Sequence, residues 1–310
     1  MFWKKKNNTN AGRQVPDLQN GSGDPVNIKV VIKSDLGNVR TNNEDAASFF
    51  RMTDGKLLRE KGYLLIVADG MGGHLAGEVA SKMAVDIISE EYFRPANDSD
   101  REKALASAFN LANKKIFELA AANEQYRGMG TTCTAIVVIA STIYYAHAGD
   151  SRAYLYKDNK LTRITEDHTY VQELVNNGDI SNEQAETHPQ RNILTNAMGT
   201  KPVLRVDTGK CLTSFEQNNR LLLCSDGLYD YLSDQEIAAV MSAGSLQEAA
   251  DYFISESKRR GGKDNITVVL AEIYEEKKEP DLRSTMEYDL PKMTRDADIP
   301  EGLNDNNYDR

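Results

Sequence analysis

The sequence predicts an α+β fold in which antiparallel strands form meanders and long helices are inserted between them. Three observations carry that expectation. Short, β-branched-rich apolar runs recur along the chain and read as buried strands. Two long helical patterns, at 76–93 and about 100–123, follow one strand back to back, whereas βαβ units would alternate them with strands. The strands between 131 and 156 are separated only by turn signals, Ala140-Ser141 and Gly149-Asp150.

The elements follow in order. Residues 1–27 are rich in Asn, Gly, Gln and Pro and are expected to be a disordered arm. Strands are predicted at 28–33 and 46–52, and Asp54-Gly55 then reads as a plain hairpin turn. The strand at 63–68 ends on Asp69-Gly70. The helix at 76–93 has a stripe of Ala76, Val79, Ala80, Met83, Ala84, Ile87 and Ile88. Strands at 131–139, 142–147 and 153–156 form the meander. The polar stretch 157–205 contains short helices at 169–176 and 182–186, and a span of this kind between strands reads as a functional flap, placed at about 169–203. Strands resume at 203–206 and 220–224. Helices are expected at 234–242 and 246–260, the second capped by Ser245 and closed by Gly261-Gly262, before a last strand at 266–273. Residues 275–310 are acidic and proline-punctuated, and are expected to be a disordered tail.

Composition narrows the function classes. A chain of 310 residues with 40% hydrophobic content can build a substantial core. Its net charge of −10 opposes nucleic acid as the main partner. Cys133, Cys211 and Cys224 lie far apart with no CxxC pair, which points to reduced, packed thiols and a cytoplasmic compartment. No apolar run approaches the ~20 residues a bilayer requires, and MFWKKK leads into polar residues rather than a signal-peptide core, so no membrane span is expected.

An isolated Asp-Gly is ordinarily a turn. Here the pattern repeats, because both 63–68 and 221–224 are apolar runs leading to an Asp-Gly, at Asp69-Gly70 and Asp226-Gly227. Asn43-Glu44-Asp45 and Asp264-Asn265 supply two more acidic sites in comparable settings. Four acidic sites at strand edges read as ligands converging on one place. Their oxygen donors select Mg²⁺ or Mn²⁺, whereas zinc would want His or Cys. The four histidines form no HExxH pattern, and no EF-hand loop is present. Carboxylates gathered without basic neighbours repel one another, and cations are the usual remedy. Two such cations roughly 4 Å apart clamp a water and a phosphoryl oxygen for in-line displacement. Arg40, five residues before Asp45, is placed to fork onto phosphate oxygens. Alone it would read as a solvated surface charge.

These residues carry a signature. SDLGNVRTNNEDA, VADGMGGHLAGEVAS, GMGTTCTAIVV, AHAGDSRAYLY, ITEDH, LLLCSDGLYD and GGKDNITVVL follow one another over residues 28–274. The ordered set resembles the metal-dependent PPM (protein phosphatase 2C-like) family of serine/threonine phosphatases, in its compact bacterial branch. The resemblance implies a four-layer αββα sandwich of two antiparallel sheets flanked by helix pairs, with the metal centre in a cleft at one end. It also implies two Mn²⁺ or Mg²⁺ ions. Asp45 would bridge them, Asp69 and the Gly70 carbonyl would complete one site, and Asp226 and Asp264 the other, with Glu44 and Asn265 beside them. Arg40 would hold the substrate phosphate, and Asp150 with Asp226 a third, weaker metal. Phosphoproteins, including a partner Ser/Thr kinase, are the implied substrates of a monomeric enzyme. One position departs from the family's human-type members: the residue after the first Asp-Gly is Met71, where they carry a histidine proposed to protonate the leaving group. A metal-bound water would then be the acid, unless His74 reached in.

Three other classes compete. A two-metal phosphodiesterase or nuclease would use similar carboxylates but wants a basic groove. A metal-binding regulatory module without catalysis would be expected to lack one of the four aspartates. A serine hydrolase built on Ser151 or Ser225 has neither a GxSxG elbow nor a partnered histidine in view.

Overall fold

The computed structural model describes residues 26–72, 76–94 and 100–274. The chain runs through β1 (Ile28–Asp35), β2 (Asp45–Arg51), α1 (Gly55–Lys61), β3 (Tyr63–Met71), α2 (Ala76–Phe93) and α3 (Arg101–Ala122). After a 3-10 turn come β4 (Gly130–Thr131), β5 (Cys133–Ile139), β6 (Thr142–Ala148), β7 (Arg152–Lys157) and β8 (Lys160–Arg163). Two short helices, α4 (Tyr170–Asn177) and α5 (Asn182–Glu186), precede β9 (Asp207–Lys210) and β10 (Arg220–Cys224). The last elements are α6 (Asp226–Tyr229), α7 (Asp234–Met241), α8 (Leu246–Arg259) and β11 (Ile266–Ile273).

One sheet has the order β1-β11-β10-β7-β8 and the other β2-β3-β5-β6-β9, with β4 beside β3; every pairing is antiparallel. The apolar runs are continuous because the central strands are covered on both faces. Leu64 and Ile66 of β3 join α2 and α3 in one core, while Leu65 and Val67 meet Leu221, Leu223 and Val269 of the facing sheet in another. Leu222, Val268 and Leu270 point the other way, onto Ile237 of α7 and Phe253 of α8. Three apolar cores therefore separate four layers, helix, sheet, sheet, helix.

Several local expectations need correction. Asp54-Gly55 is no hairpin turn: the Asp54 carboxylate accepts from Lys56 N (2.9 Å) and Leu57 N (2.8 Å) and caps α1. Turn and cap favour the same residue types, because both use a short side-chain acceptor. Residues 203–206 form no strand. Asn196 takes the backbone of Arg205, donating to its carbonyl (2.9 Å) and accepting from its N–H (3.2 Å), and the strand begins at Asp207. Val203, apolar in the sequence, is 80% exposed. β8 adds an edge strand unforeseen in the sequence. Its hairpin turns at Asp158-Asn159, both at positive φ (52° and 60°), a combination that signals a tight hairpin. Val26 and Asn27, assigned to the arm, belong to the fold, since their carbonyls accept from Tyr63 Oη (2.7 Å) and Tyr274 N (3.0 Å). The expectations for residues 1–25, for the tail from 275 and for His74 lie outside the described residues.

Two buried histidines bridge the sheets near the β6–β7 turn. Thr134 donates its hydroxyl proton to the Ser151 carbonyl (2.8 Å), so its oxygen accepts from His147 Nδ1 (2.8 Å), leaving His147 Nε2 a buried lone pair with no partner. Burial, then the neighbouring His168, brings the His147 pKa down to about 4. The unfolded chain therefore takes up a proton below about pH 6.5 that the folded chain refuses until about pH 4, so this group's stability is present above pH 6.5 and lost as pH falls. Between pH 7 and pH 5 the loss is expected to be about 1–2 kcal/mol. Urea unfolding of wild type and His147→Asn at both pH values checks it: the variant should lose correspondingly less stability on acidification, and equal losses would contradict this account.

Candidate active site

The strand registers bring the acidic residues to one end of both sheets. Asp45 opens β2 directly opposite Asp69 near the end of β3. Asp226 follows β10 and opens α6, while Asp264 lies two residues before β11. Cys224 at the end of β10 is paired with both Val268 and Arg152, so the β6–β7 turn carrying Asp150 arrives at the same end. Two carboxylates placed cross-strand are unfavourable unless something offsets the repulsion.

The backbone under these side chains is tightly held. Asp69 N–H donates to Thr132 Oγ1 (2.9 Å), and its carbonyl accepts from Thr132 N (2.8 Å) and Thr131 Oγ1 (2.9 Å). Thr132 Oγ1 shares a hydrogen bond with Ser151 Oγ (2.7 Å), tying the Asp69 strand to the Asp150 turn. The Glu44 carbonyl accepts from Gly70 N (3.1 Å) and Ser81 Oγ (2.6 Å). Asn265 pins the β1–β2 loop at three points: Oδ1 accepts from Glu44 N (2.8 Å), and Nδ2 donates to the carbonyls of Leu36 (3.1 Å) and Asn42 (3.0 Å). Gly70 is needed for closeness, since a Cβ there would lie 2.1 Å from the Gly77 carbonyl oxygen.

The carboxylates themselves are under-satisfied. Asp45 Oδ2 accepts from Ser225 Oγ (2.8 Å), yet Asp45 Oδ1 and Asp226 Oδ1 are buried without any partner. Burial pushes the Asp45 pKa up to about 6 and the Asp150 pKa up to about 7. Burial and then the neighbouring acids hold Asp69 and Asp226 well above the usual carboxylate range. Such a donor set, all oxygen with bare buried atoms, fits hard divalent cations. Among the described residues no three Asp, Glu, His or Cys side chains converge tightly enough to cage an ion unaided. Mg²⁺-type sites of one or two carboxylates, completed by waters and phosphate oxygens, need no such cage.

Two basic groups stand beside the carboxylates. Arg40, 47% exposed, donates from Nη2 to Asp264 Oδ2 (2.6 Å) and brings Nη1 to 4.0 Å from Glu44. Beside Asp150, the Arg152 guanidinium stacks 3.6 Å over the Tyr229 ring and forks onto Asp167, while Tyr229 Oη donates to the Asp150 carbonyl (3.0 Å). The bracing by Thr132, Ser225, Arg152 and Tyr229 escaped the sequence reading. Each lies inside a segment quoted for the resemblance, but none carries a pattern of its own that marks the bracing.

A serine hydrolase does not fit. Ser151 Oγ is shared with Thr132, and Ser225 Oγ is engaged by Asp45 and Thr267 N. His147 and His168 bond to Thr134, Gly149, Asn196 and Asp207. No described histidine is hydrogen-bonded to a serine hydroxyl.

A family model described as Protein phosphatase 2C matches residues 38–260. The serine/threonine phosphatase stp of Listeria welshimeri is 40% identical over 244 residues, 77% of this chain and 94% of that protein. The solved S. agalactiae serine/threonine phosphatase superposes with a TM-score of 0.73 at 33% identity, covering 80% of this chain and all of that one. The catalytic domain of the phosphatase PstP, solved in complex with two manganese ions, gives a TM-score of 0.67 at 34% identity over 80% of this chain and 99% of that one.

The bare oxygen of Asp226 has a measurable consequence. Without metal, Asp226→Asn should stabilise the protein by about 1 kcal/mol, since it removes a buried charge that lacks compensation. In differential scanning calorimetry the metal-free variant should melt above wild type, and added Mn²⁺ should raise its melting temperature less than it raises that of wild type. A variant less stable than wild type and equally stabilised by Mn²⁺ would contradict the metal-ligand reading.

Proposed function

This chain belongs to the protein phosphatase 2C family and is a metal-dependent serine/threonine phosphatase, and we propose that it works through two Mn²⁺ or Mg²⁺ ions held by Asp45, Asp69, Asp226 and Asp264. The observation that carries the site assignment is the arrival of these four residues at one end of both sheets, with buried oxygens left bare on Asp45 and Asp226. Asp45 would bridge the ions. Asp69 and the Gly70 carbonyl would serve one, Asp226 and Asp264 the other. The manganese pair in the related PstP catalytic domain supports the count. Asp150, with Asp226, would take a third and weaker ion. When bound, the cations supply the positive charge that activates water and offsets charge on the phosphoryl oxygens.

The protein's own groups do the rest. Arg40 binds the phosphate. Its hydrogen bond to Asp264 uses one of the two Nη2 protons and orients the plane, leaving the second, with the neighbouring Nε or Nη1 proton, to fork onto phosphoryl oxygens. Glu44 and Asn265 fix the loops that present Asp45 and Asp264. Met71, at the end of β3, has no proton to give a departing serine or threonine oxygen, so that proton is supplied by water in the site. The substrates are phosphoproteins, with a partner Ser/Thr kinase among them, and the enzyme acts as a cytoplasmic monomer. No described helix is long and apolar enough to cross a membrane. The net charge of −10 speaks against a phosphodiesterase acting on nucleic acid.

Phosphate release from a phosphothreonine peptide tests the reading. It should require added Mn²⁺ or Mg²⁺ and stop on chelation. Asp226→Ala should lower kcat by about 10³-fold, as expected when a catalytic metal loses a ligand. Arg40→Ala should raise KM for an aryl phosphate about tenfold or more, with Arg40→Lys recovering only part, because an ammonium cannot fork. Wild-type turnover by metal-loaded Asp226→Ala would sink the metal assignment. An unchanged KM in Arg40→Ala would show the arginine to be a plain counter-ion of Asp264.

A further inference from the structure

A groove of about 940 Å³ opens beside Asp150, between the α4–α5 segment on one wall and the α6–α7 segment on the other. Arg191 at the end of the first segment bonds Asp230 across it (3.2 Å), so the two walls are tied together. Because Asp150 belongs both to the carboxylate cluster and to this lining, the groove runs directly into the site.

Its chemistry is specific. Every arginine of the lining is already engaged by a carboxylate: Arg152 (2.6 Å) and Arg163 (3.4 Å) share Asp167, and Arg191 meets Asp230. Acidic side chains outnumber the arginines, so a second phosphate or a polyanion meets no free cation there. Asn182, Asn192 and Gln235, on opposite walls, carry exposed amides that make no side-chain hydrogen bond with described residues. An amide side chain both donates and accepts, and an extended polypeptide offers one N–H and one C=O at nearly every residue. The lining matches a main chain and no particular side-chain sequence.

Resting on the phosphatase reading, we propose that this groove receives the extended polypeptide on one side of the phosphorylated residue. Asn182, Asn192 and Gln235 read its main chain, and the acidic lining disfavours acidic flanks. The substrate class is then a phosphorylated segment of loose sequence with neutral or basic residues on the groove side. Recognition divides into two parts, the phosphate at Arg40 and the metals, and the backbone along the groove. One enzyme can thereby serve several phosphoproteins that share charge and extension and differ in sequence.

The test compares kcat/KM for p-nitrophenyl phosphate and a set of phosphothreonine peptides, using the full chain with Mn²⁺. Scrambling neutral flanks should change kcat/KM by less than about threefold, since no side chain is read. N-methylating backbone amides on one side of the phosphothreonine, and not on the other, should lower it about tenfold through lost hydrogen bonds. Glutamates on that side should lower it about tenfold at low salt, with recovery as salt is raised. The combined Asn182→Ala, Asn192→Ala, Gln235→Ala variant should lower the peptide-to-aryl-phosphate ratio about tenfold, through KM, and should lose its sensitivity to N-methylation. Loss of that sensitivity is a readout that general destabilisation would not produce, and circular dichroism confirms that the variant is folded. An active enzyme whose ratio is unchanged in the variant, or which ignores N-methylation on both sides, would overturn the groove assignment. Absence of phosphate release from every substrate by wild type would overturn the phosphatase reading itself and the groove with it, a result distinct from indifference to the groove.

Discussion

Everything at the working end of this molecule depends on a crowd of carboxylates that the protein does not neutralise by itself. Asp45, Asp69, Asp150, Asp226 and Asp264 arrive from different strands and loops, and burial raises the cost of the charge on Asp45, Asp69, Asp150 and Asp226. The hydrogen bonds go to the backbone beneath them. Asp69 has its N–H and carbonyl fully engaged, while carboxylate oxygens on Asp45 and Asp226 are left bare. A fold that fixes these residues' main chain and starves their oxygens suits the proposed cation site, at the expense of its own stability.

The four-layer sandwich is what makes that crowd possible. β3 and β10 are covered on both faces, so their positions are set by packing on Leu64, Leu65, Leu222 and Leu223 and owe little to the acids at their ends. Asn265 and the Thr132–Ser151 bond then lash the two sheets' ends together. The two arginines near the cluster have different parts. Arg40 stands half in solvent on Asp264, where the proposal has it meet the phosphate, whereas Arg152 is locked between Tyr229 and Asp167 and braces the Asp150 turn.

Much of this was legible in the sequence, for identifiable reasons. Strands buried on both faces write continuous apolar runs, and an acid at the end of such a run stands out against it; Asp69 and Asp226 were visible on those grounds. Ser245 as a cap and Gly261-Gly262 as a stop announced α8, and the structure adds Glu248 as the reciprocal partner of that cap. What was hidden depends on contacts distant in sequence. Nothing local to Pro202–Val206 reveals that Asn196 occupies the Arg205 backbone. Arg40 and Asp264 are 224 residues apart, so the bond between them had no signature along the chain, although the spacing of Arg40 to Asp45 did. Asp54 was misread because one carboxylate chemistry serves both turns and helix caps.

The central claim is that the starved carboxylates exist to hold a pair of divalent cations, and anomalous diffraction from crystals grown with Mn²⁺ tests it most directly. The account predicts two strong manganese peaks about 4 Å apart, flanked by Asp45, Asp69, Asp226 and Asp264, with Asp45 in contact with both. Peaks confined to other surfaces, or a single ion held without Asp45, would contradict it.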